Sequence, residues 1–320
     1  MGKQMLELKE AGKKLLEGQN IALTVHVSPD GDAIGSVLGL ARILTGLGKN
    51  VTIFVDDIIK GFNFLPDVDK IKTETNLEGI KEPLRFDLLC VLDCSTLERI
   101  GRVADCIKAD HVLNIDHHAS NEGFAEFSYI DENAAATAEI LCELLETMQW
   151  ELDALTATYL YVGLSTDSGS FRYSNTTGKT MRCGAMLVEA GAKPNEINEA
   201  LDVMSKPTMA ELLVTLPTLT YVDNGRIAYM YVDNAHYDKN AVTDYFVNYC
   251  RNIEGVQVAL FFKEVAPNEV RVSMRSTGMN LAEVAVKFGG GGHHRAAGCT
   301  VKLPLQQAIA TVLSEIKKQK

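Results

Sequence analysis

Three short apolar runs, each leading into acids or histidines, restrict the fold of this chain more than any other feature. They are IALTVHV (21–27), FDLLCVLDCS (86–95) and VLNIDHH (112–118). A strand covered on both faces reads as a near-continuous apolar run, whereas a strand with one wet face alternates. VTIFVD (51–56) is a fourth run of the same kind, and helical spacing marks GSVLGLARILTGLG (35–48), ATAEILCELLETMQW (136–150) and LDALTATYLYVGLS (152–165). Strands alternating with helices predict an α/β domain over 1–190, its largely parallel sheet covered by helices.

The texture changes after residue 190. The polar stretch 191–209, with two prolines, reads as a linker. Residues 210–320 predict a smaller α+β domain. YVDNGRIAYMYVD (221–233) is a hairpin with an Asn-Gly turn, and a helix follows near 239–252. VQVALFFKEVAPNEVRVSMRS (256–276) is a second hairpin, Asn280 and Glu283 stand at capping-box spacing, and a last helix covers 305–318. A length of 320 residues accommodates two such domains.

Charge and cysteine content narrow the function. With 31 Lys and Arg against 42 Asp and Glu, the net charge is −11, unsuited to coating long nucleic acid through a basic stripe. A small anion held through metal ions remains compatible. Seven scattered cysteines without a C-x-x-C predict neither a disulfide framework nor a thiolate zinc site. No apolar run reaches the ~18 residues of a membrane span. The opening residues 1–20 read as a mixed-charge amphipathic helix, not a signal sequence. Met1-Gly2 is followed by Leu6, which breaks the myristoylation pattern. The expected location is the cytoplasm.

Three polar clusters stand at the carboxyl ends of expected strands, His26, Asp30 and Asp32, then Asp93, then Asp116, His117 and His118, and a fourth, Asp167, follows an expected helix. Singly, Asp30 or Asp32 before a helix reads as a cap, and His26 as a core histidine. Together they crowd acids and imidazoles into one cleft, at the edge where open α/β sheets build sites. Divalent cations relieve that repulsion, and carboxylates with imidazoles but no thiolates suit Mn²⁺ or Mg²⁺.

These motifs resemble the DHH phosphoesterase superfamily, whose name matches Asp116-His117-His118. His26-x-x-x-Asp30-x-Asp32, Asp93 and Asp167 supply its other motifs in order. The resemblance implies two Mn²⁺ ions. His26, Asp30 and Asp93 hold one, and Asp32, Asp93, His117 and Asp167 hold the other, with Asp93 bridging. It also implies that His118 meets the reacting phosphate while Asp116 fixes a histidine ring.

In the second half, Gly289 to Gly292, His293, His294, Arg295, Ala296, Ala297 and Gly298 form a glycine-rich loop able to converge backbone N–H groups on an anion. It is similar to the loop of the DHH-associated C-terminal domain. The resemblance places Gly290, Gly291, Gly292 and His293, with Arg275 and Ser276, on substrate across a cleft; His294 and Arg295 occupy its variable positions. Phe171, Arg172 and Tyr173 are candidates for contacting bases.

The resemblance covers both domains and is nearest to the nanoRNase type. It implies a metal-dependent hydrolase releasing mononucleotides from short single-stranded oligonucleotides, with pAp as a second substrate. The expected partners are such oligonucleotides or nucleotides, with no long duplex and no membrane, and an oligomer is compatible. A cyclic- or linear-dinucleotide phosphodiesterase shares this layout, and a non-enzymatic nucleotide sensor is the contrasting class. RecJ-type nucleases carry additional domains, and family II pyrophosphatases end in a basic motif absent here.

Overall fold

The computed structural model describes residues 3–57 and 61–319. Met1 and Gly2, on which the acylation reading rests, lie outside the described residues. The chain divides into two compact units, Met1–Asp202 and Val203–Lys320.

The first unit runs β1 (Gln4–Met5), α1 (Leu8–Glu17), β2 (Asn20–Thr24), α2 (Gly31–Gly46), β3 (Asn50–Phe54), α3 (Glu74–Glu78), β4 (Leu84–Leu92), α4 (Val103–Cys106), β5 (Ile107–Asp116), β6 (Phe127–Ile130), α5 (Thr137–Met148), α6 (Ala154–Asp167), α7 (Gly178–Glu189) and α8 (Pro194–Leu201). The six strands form one sheet in the order β1-β6-β5-β4-β2-β3, with every neighbouring pair parallel. β4 shows why the apolar runs are unbroken. Its Leu88, Cys90 and Leu92 enter one buried cluster, while Leu89 and Val91 enter another. Successive side chains project to opposite faces, so a strand buried on both sides must be apolar throughout. The short strands β1 and β6, of two and four residues, are too brief for periodicity to reveal them.

Asp153 caps α6, accepting from Thr156 N at 2.8 Å, and pairs with Arg42 of α2 at 2.6 Å. The Arg42 hydrogen bond, then the capping N–H, hold its carboxyl below the ordinary range. Such a group contributes stability above its unfolded pKa and loses it as pH falls through the folded value. The pair is half-exposed and therefore screened. Asp153→Ala is expected to cost about 1 kcal/mol at neutral pH, mostly as a lost cap. Urea unfolding should show that difference shrinking between about pH 5 and about pH 2.

The second unit runs α9 (Lys206–Thr215), β7 (Thr220–Val222), β8 (Ile227–Val232), α10 (Val247–Arg251), β9 (Val258–Ala266), β10 (Glu269–Ser276), α11 (Leu281–Val286), β11 (Gly291–His293), β12 (Ala296–Val301) and α12 (Leu305–Lys318). Its sheet, in the order β11-β12-β10-β9-β8-β7, is antiparallel except for the β8–β9 pair. Both expected hairpins form. The helix expected near 239–252 shortens to α10, because Asp238 turns its carboxylate onto Asn240 N (2.8 Å) and diverts the backbone into a turn. Asn280 and Glu283 do not form a capping box. Their side chains bond each other at 2.8 Å, and no side-chain cap reaches the α11 backbone. Within 191–209, Ile197 of α8 is buried in the core of the first unit, and Ser205 caps α9 by accepting from Thr208 N.

Candidate metal centre and active site

Sheet order assembles the first cluster. β5, β4 and β2 are consecutive neighbours, so their carboxyl ends adjoin. His26 follows β2, Asp93 follows β4, and Asp116 ends β5 just before His117 and His118. Asp30 is the N-cap of α2, Asp32 lies in its first turn, and Asp167 is the last residue of α6.

Asp93 stands between two imidazoles. Its Oδ2 is 3.5 Å from His26 Nε2 and its Oδ1 is 3.4 Å from His117 Nε2. His117 Nε2 is also 3.3 Å from Asp167 Oδ2 and 3.8 Å from Asp32 Oδ2, and His26 Nε2 is 3.9 Å from Asp30 Oδ1. The six residues expected as ligands thus come together as two groups, His26, Asp30 and Asp93 beside Asp32, His117 and Asp167. Asp93 takes a left-handed φ of 50°, held by its N–H donating to Ile115 O at 3.1 Å. Strain of this kind persists only where surrounding contacts enforce it.

The donor set fits divalent cations. Nδ1 of His26 is 2.8 Å from Val27 O, and Nδ1 of His117 is 3.2 Å from Ala134 O. Donating there, each neutral ring turns an Nε2 lone pair toward the carboxylates. Neighbouring ligand atoms on a six-coordinate ion with bonds near 2.1 Å lie about 3 Å apart, close to these separations. Charge makes the same demand. Burial, then Asp93 and Asp167, push the Asp32 carboxyl well above its ordinary range. Desolvation by crowded surroundings and the same two acids push Asp30 up to about 6, although its side chain is half-exposed. Burial opposes ionisation of Asp93 and His117 alike. Hydrogen bonds outweigh it, with His117 and His26 holding Asp93 well down and Asp167 and Asp93 holding His117 well up. Without a cation, protons on the imidazoles supply the positive charge these acids require.

Asp116 is fully buried behind the cluster. Its Oδ1 accepts from His118 Nδ1 at 2.7 Å and from His117 N at 2.9 Å. The contact with Oδ1 fixes the direction of the His118 ring. Sequence reasoning missed Thr137, whose Oγ1 donates to Asp93 Oδ1 (3.2 Å) and whose N–H donates to Asp32 Oδ2 (2.6 Å). It also missed Asn175, whose amide ties Ala135 O to Asp167 O. No local pattern marks either residue. Phe171 packs on the first core beside Tyr161, which makes it a packing residue. The Tyr173 ring lies over Gly169.

The glycine-rich segment of the second unit is a β-hairpin, not an open loop. Gly291, Gly292 and His293 pair with Gly298, Ala297 and Ala296. Gly290 is required by close approach, since a Cβ there would stand 2.1 Å from Gly298 O. Directly opposed residues share a face, so His293, Ala296 and Arg275 form one row across three strands. Gly291, Gly298 and Ser273 form the next row. The other face, with Val272, Met274, Ala297 and Cys299, is core. One face is thus a floor of small residues bounded by Arg275 and His293. Ser276 is not on it. It shares the buried register of Met274 and donates its hydroxyl to Met279 O at 2.6 Å. Ser273 holds the corresponding position on the open face. The tip residues His294 and Arg295 act through their backbone, their carbonyls accepting from Leu281 N and Ser276 N.

Residues 20–164 match the N-terminal domain of the DHH family, and residues 224–319 match the DHHA1 domain. The chain belongs to the DHH family, among members that join that domain to DHHA1. A Thermus thermophilus protein named bifunctional oligoribonuclease and PAP phosphatase NrnA is 34% identical over 312 residues, covering 96% of this chain and 91% of its own. A Mycoplasma pneumoniae protein of the same name is 31% identical over 319 residues, covering 98% and 96%. Among solved structures, an exopolyphosphatase-related protein from Bacteroides fragilis superposes with a TM-score of 0.83 at 24% identity, covering 97% of this chain and 96% of that one, so the fold is shared. Among the described residues, no helix is long and apolar enough to cross a membrane.

Proposed function

We propose that this protein is a metal-dependent phosphoesterase that hydrolyses short oligonucleotides to mononucleotides and pAp to AMP. One observation carries the reading: a single buried carboxylate, Asp93, turns one oxygen toward the Nε2 of each of two imidazoles, and those Nε2 atoms also face the acids Asp30, Asp32 and Asp167. The relatives named oligoribonuclease and PAP phosphatase support the substrate class. His26, Asp30 and Asp93 would hold one divalent cation, Mn²⁺ by its donor set, and Asp32, Asp93, His117 and Asp167 a second. When bound, such a pair supplies Lewis acidity toward the phosphoryl group and toward water. Asp116 accepts the Nδ1 proton of His118, so that Nε2 is the atom offered to the reacting phosphate. Arg275 and His293 neutralise a further phosphate.

Chelation should remove activity, and Mn²⁺ should restore it better than Ca²⁺, whose larger, looser coordination suits a compact pair poorly. The deciding assay offers pApA, RNA from dimer to heptamer, pAp, cyclic di-AMP and pyrophosphate with Mn²⁺. Mononucleotides from the dinucleotide and AMP from pAp are the expected products. Turnover of cyclic di-AMP alone would replace this reading with a dinucleotide phosphodiesterase, and tight binding without turnover would indicate a sensor.

Two predictions follow substrate capture. His293→Ala and Arg275→Ala should each raise KM roughly tenfold to a hundredfold, the loss of one charge-assisted phosphate contact, with metal content unchanged. Metal loss from the His293 variant would show that this histidine is wrongly assigned. The net charge of −11 disfavours long strands. Lys179 is already engaged by Glu143 at 2.7 Å and Asp131 at 3.3 Å. kcat/KM should therefore fall from RNA dimer to heptamer at fixed salt. A constant or rising value would overturn the small-substrate reading.

A further inference from the structure

Two asparagines behind the cluster form a directed chain of buried hydrogen bonds. Asn114 lies inside β5 and is fully buried, an amide in the otherwise apolar run VLNI. Its Nδ2 donates to Val91 O at 3.1 Å and to Cys94 O at 3.2 Å, the carbonyls that bracket Leu92 and Asp93. Both acceptors are carbonyls, so the amide orientation is fixed and Oδ1 must meet a donor. That donor is Asn121 Nδ2, at 2.7 Å. The same Nδ2 donates to Asp116 Oδ2 at 2.6 Å and reaches Cys94 O at 3.2 Å, while Asn121 Oδ1 accepts from Gly123 N at 2.9 Å. The chain therefore joins the backbone around Asp93 to the carboxylate that holds His118.

Asp93 needs such a hold. It is buried and left-handed, and its usefulness depends on turning one oxygen toward each imidazole. A free strand end would relax toward extended backbone and swing the carboxylate away. A buried amide with every polar atom engaged has one low-energy orientation and transmits it.

We infer that Asn114 and Asn121 are positioning residues for the metal centre: by clamping Val91 and Cys94 and gripping Asp116, they lock Asp93 and the histidine pair into one ligand geometry. This rests on the metal-dependent reading above. Both asparagines are buried behind the ligands. Outer hydrogen-bond partners of metal ligands typically carry 10- to 100-fold in metal affinity.

The test is calorimetric titration of the full chain with Mn²⁺, alongside thermal unfolding without metal. Asn114→Ala and the loop variant Asn121→Ser should each weaken Mn²⁺ binding about 10- to 100-fold. Leu113→Val, an apolar truncation at the adjacent buried position, should lower Tm yet bind Mn²⁺ as the wild type does. If Asn114→Ala does not fold, Asn121→Ser outside the strands carries the comparison. Wild-type affinity in a folded asparagine variant would overturn the positioning role while leaving the metal centre standing. Equal weakening in Leu113→Val would overturn it too, by showing general softening. A wild-type protein that takes up no Mn²⁺ would overturn both.

Discussion

Asp93→Asn is expected to lower turnover of a dinucleotide by at least about a hundredfold, more than replacement of any other single ligand. The carboxylate serves both ligand groups, one oxygen to each imidazole. An amide offers one weak oxygen and an NH2 group, whose hydrogens stand where a ligand lone pair is needed. The probe is clean because asparagine keeps the shape and tolerates the left-handed backbone at φ 50°. Removing one charge also relieves the crowding that pushes up Asp32 and Asp30. It also takes from His26 and His117 the charged acceptor that they share, so the metal-free variant should unfold somewhat more readily than the wild type. Calorimetry should show the loss of both Mn²⁺ sites, or the retention of one weak site. Near wild-type turnover at saturating Mn²⁺ would defeat the shared-ligand reading.

Gly35→Ala is expected to destabilise the first unit by about 3 kcal/mol and to weaken metal binding with it. By helix propensity alone the change should stabilise, by up to about 1 kcal/mol. Packing reverses the sign. A Cβ at Gly35 would stand 2.3 Å from Tyr159 O and 2.8 Å from Gly163 N, so α2 and α6 cross backbone to backbone. Neither atom is the end of a flexible side chain, and the methyl group must force the helices apart. α2 brings Asp30 and Asp32 to the site, and α6 brings Asp167. Separation by a fraction of an ångström would open the ligand group around His117. Gly46→Ala, at the exposed end of α2 with nothing within 4 Å of the added carbon, is the control and should be neutral or mildly stabilising. Equal stability for Gly35→Ala would show that the helices can part freely.

The sequence alone determined the parallel sheet and the ligand candidates, and for one physical reason. Unbroken apolar runs such as FDLLCVL are affordable only where both faces are covered, and acids at their ends need a cation or a partner. Those signals are local and survive in one dimension. The small strands β1 and β6 left no periodic trace, and α10 lost most of its expected length to a side-chain turn at Asp238. The glycine-rich run was legible as unusual, but only the pairing of β11 with β12 decided that it is a floor. That pairing turned Ser276 inward and brought Ser273 out, a parity that depends on where β10 meets its core. Thr137 and Asn175 reach the acids from 44 and 8 residues away in sequence, and Asn121 grips Asp116 from a loop. Tertiary structure alone decides such contacts, because hydrogen-bond partners are chosen by the packing of helices and strand ends, which no spacing along the chain encodes.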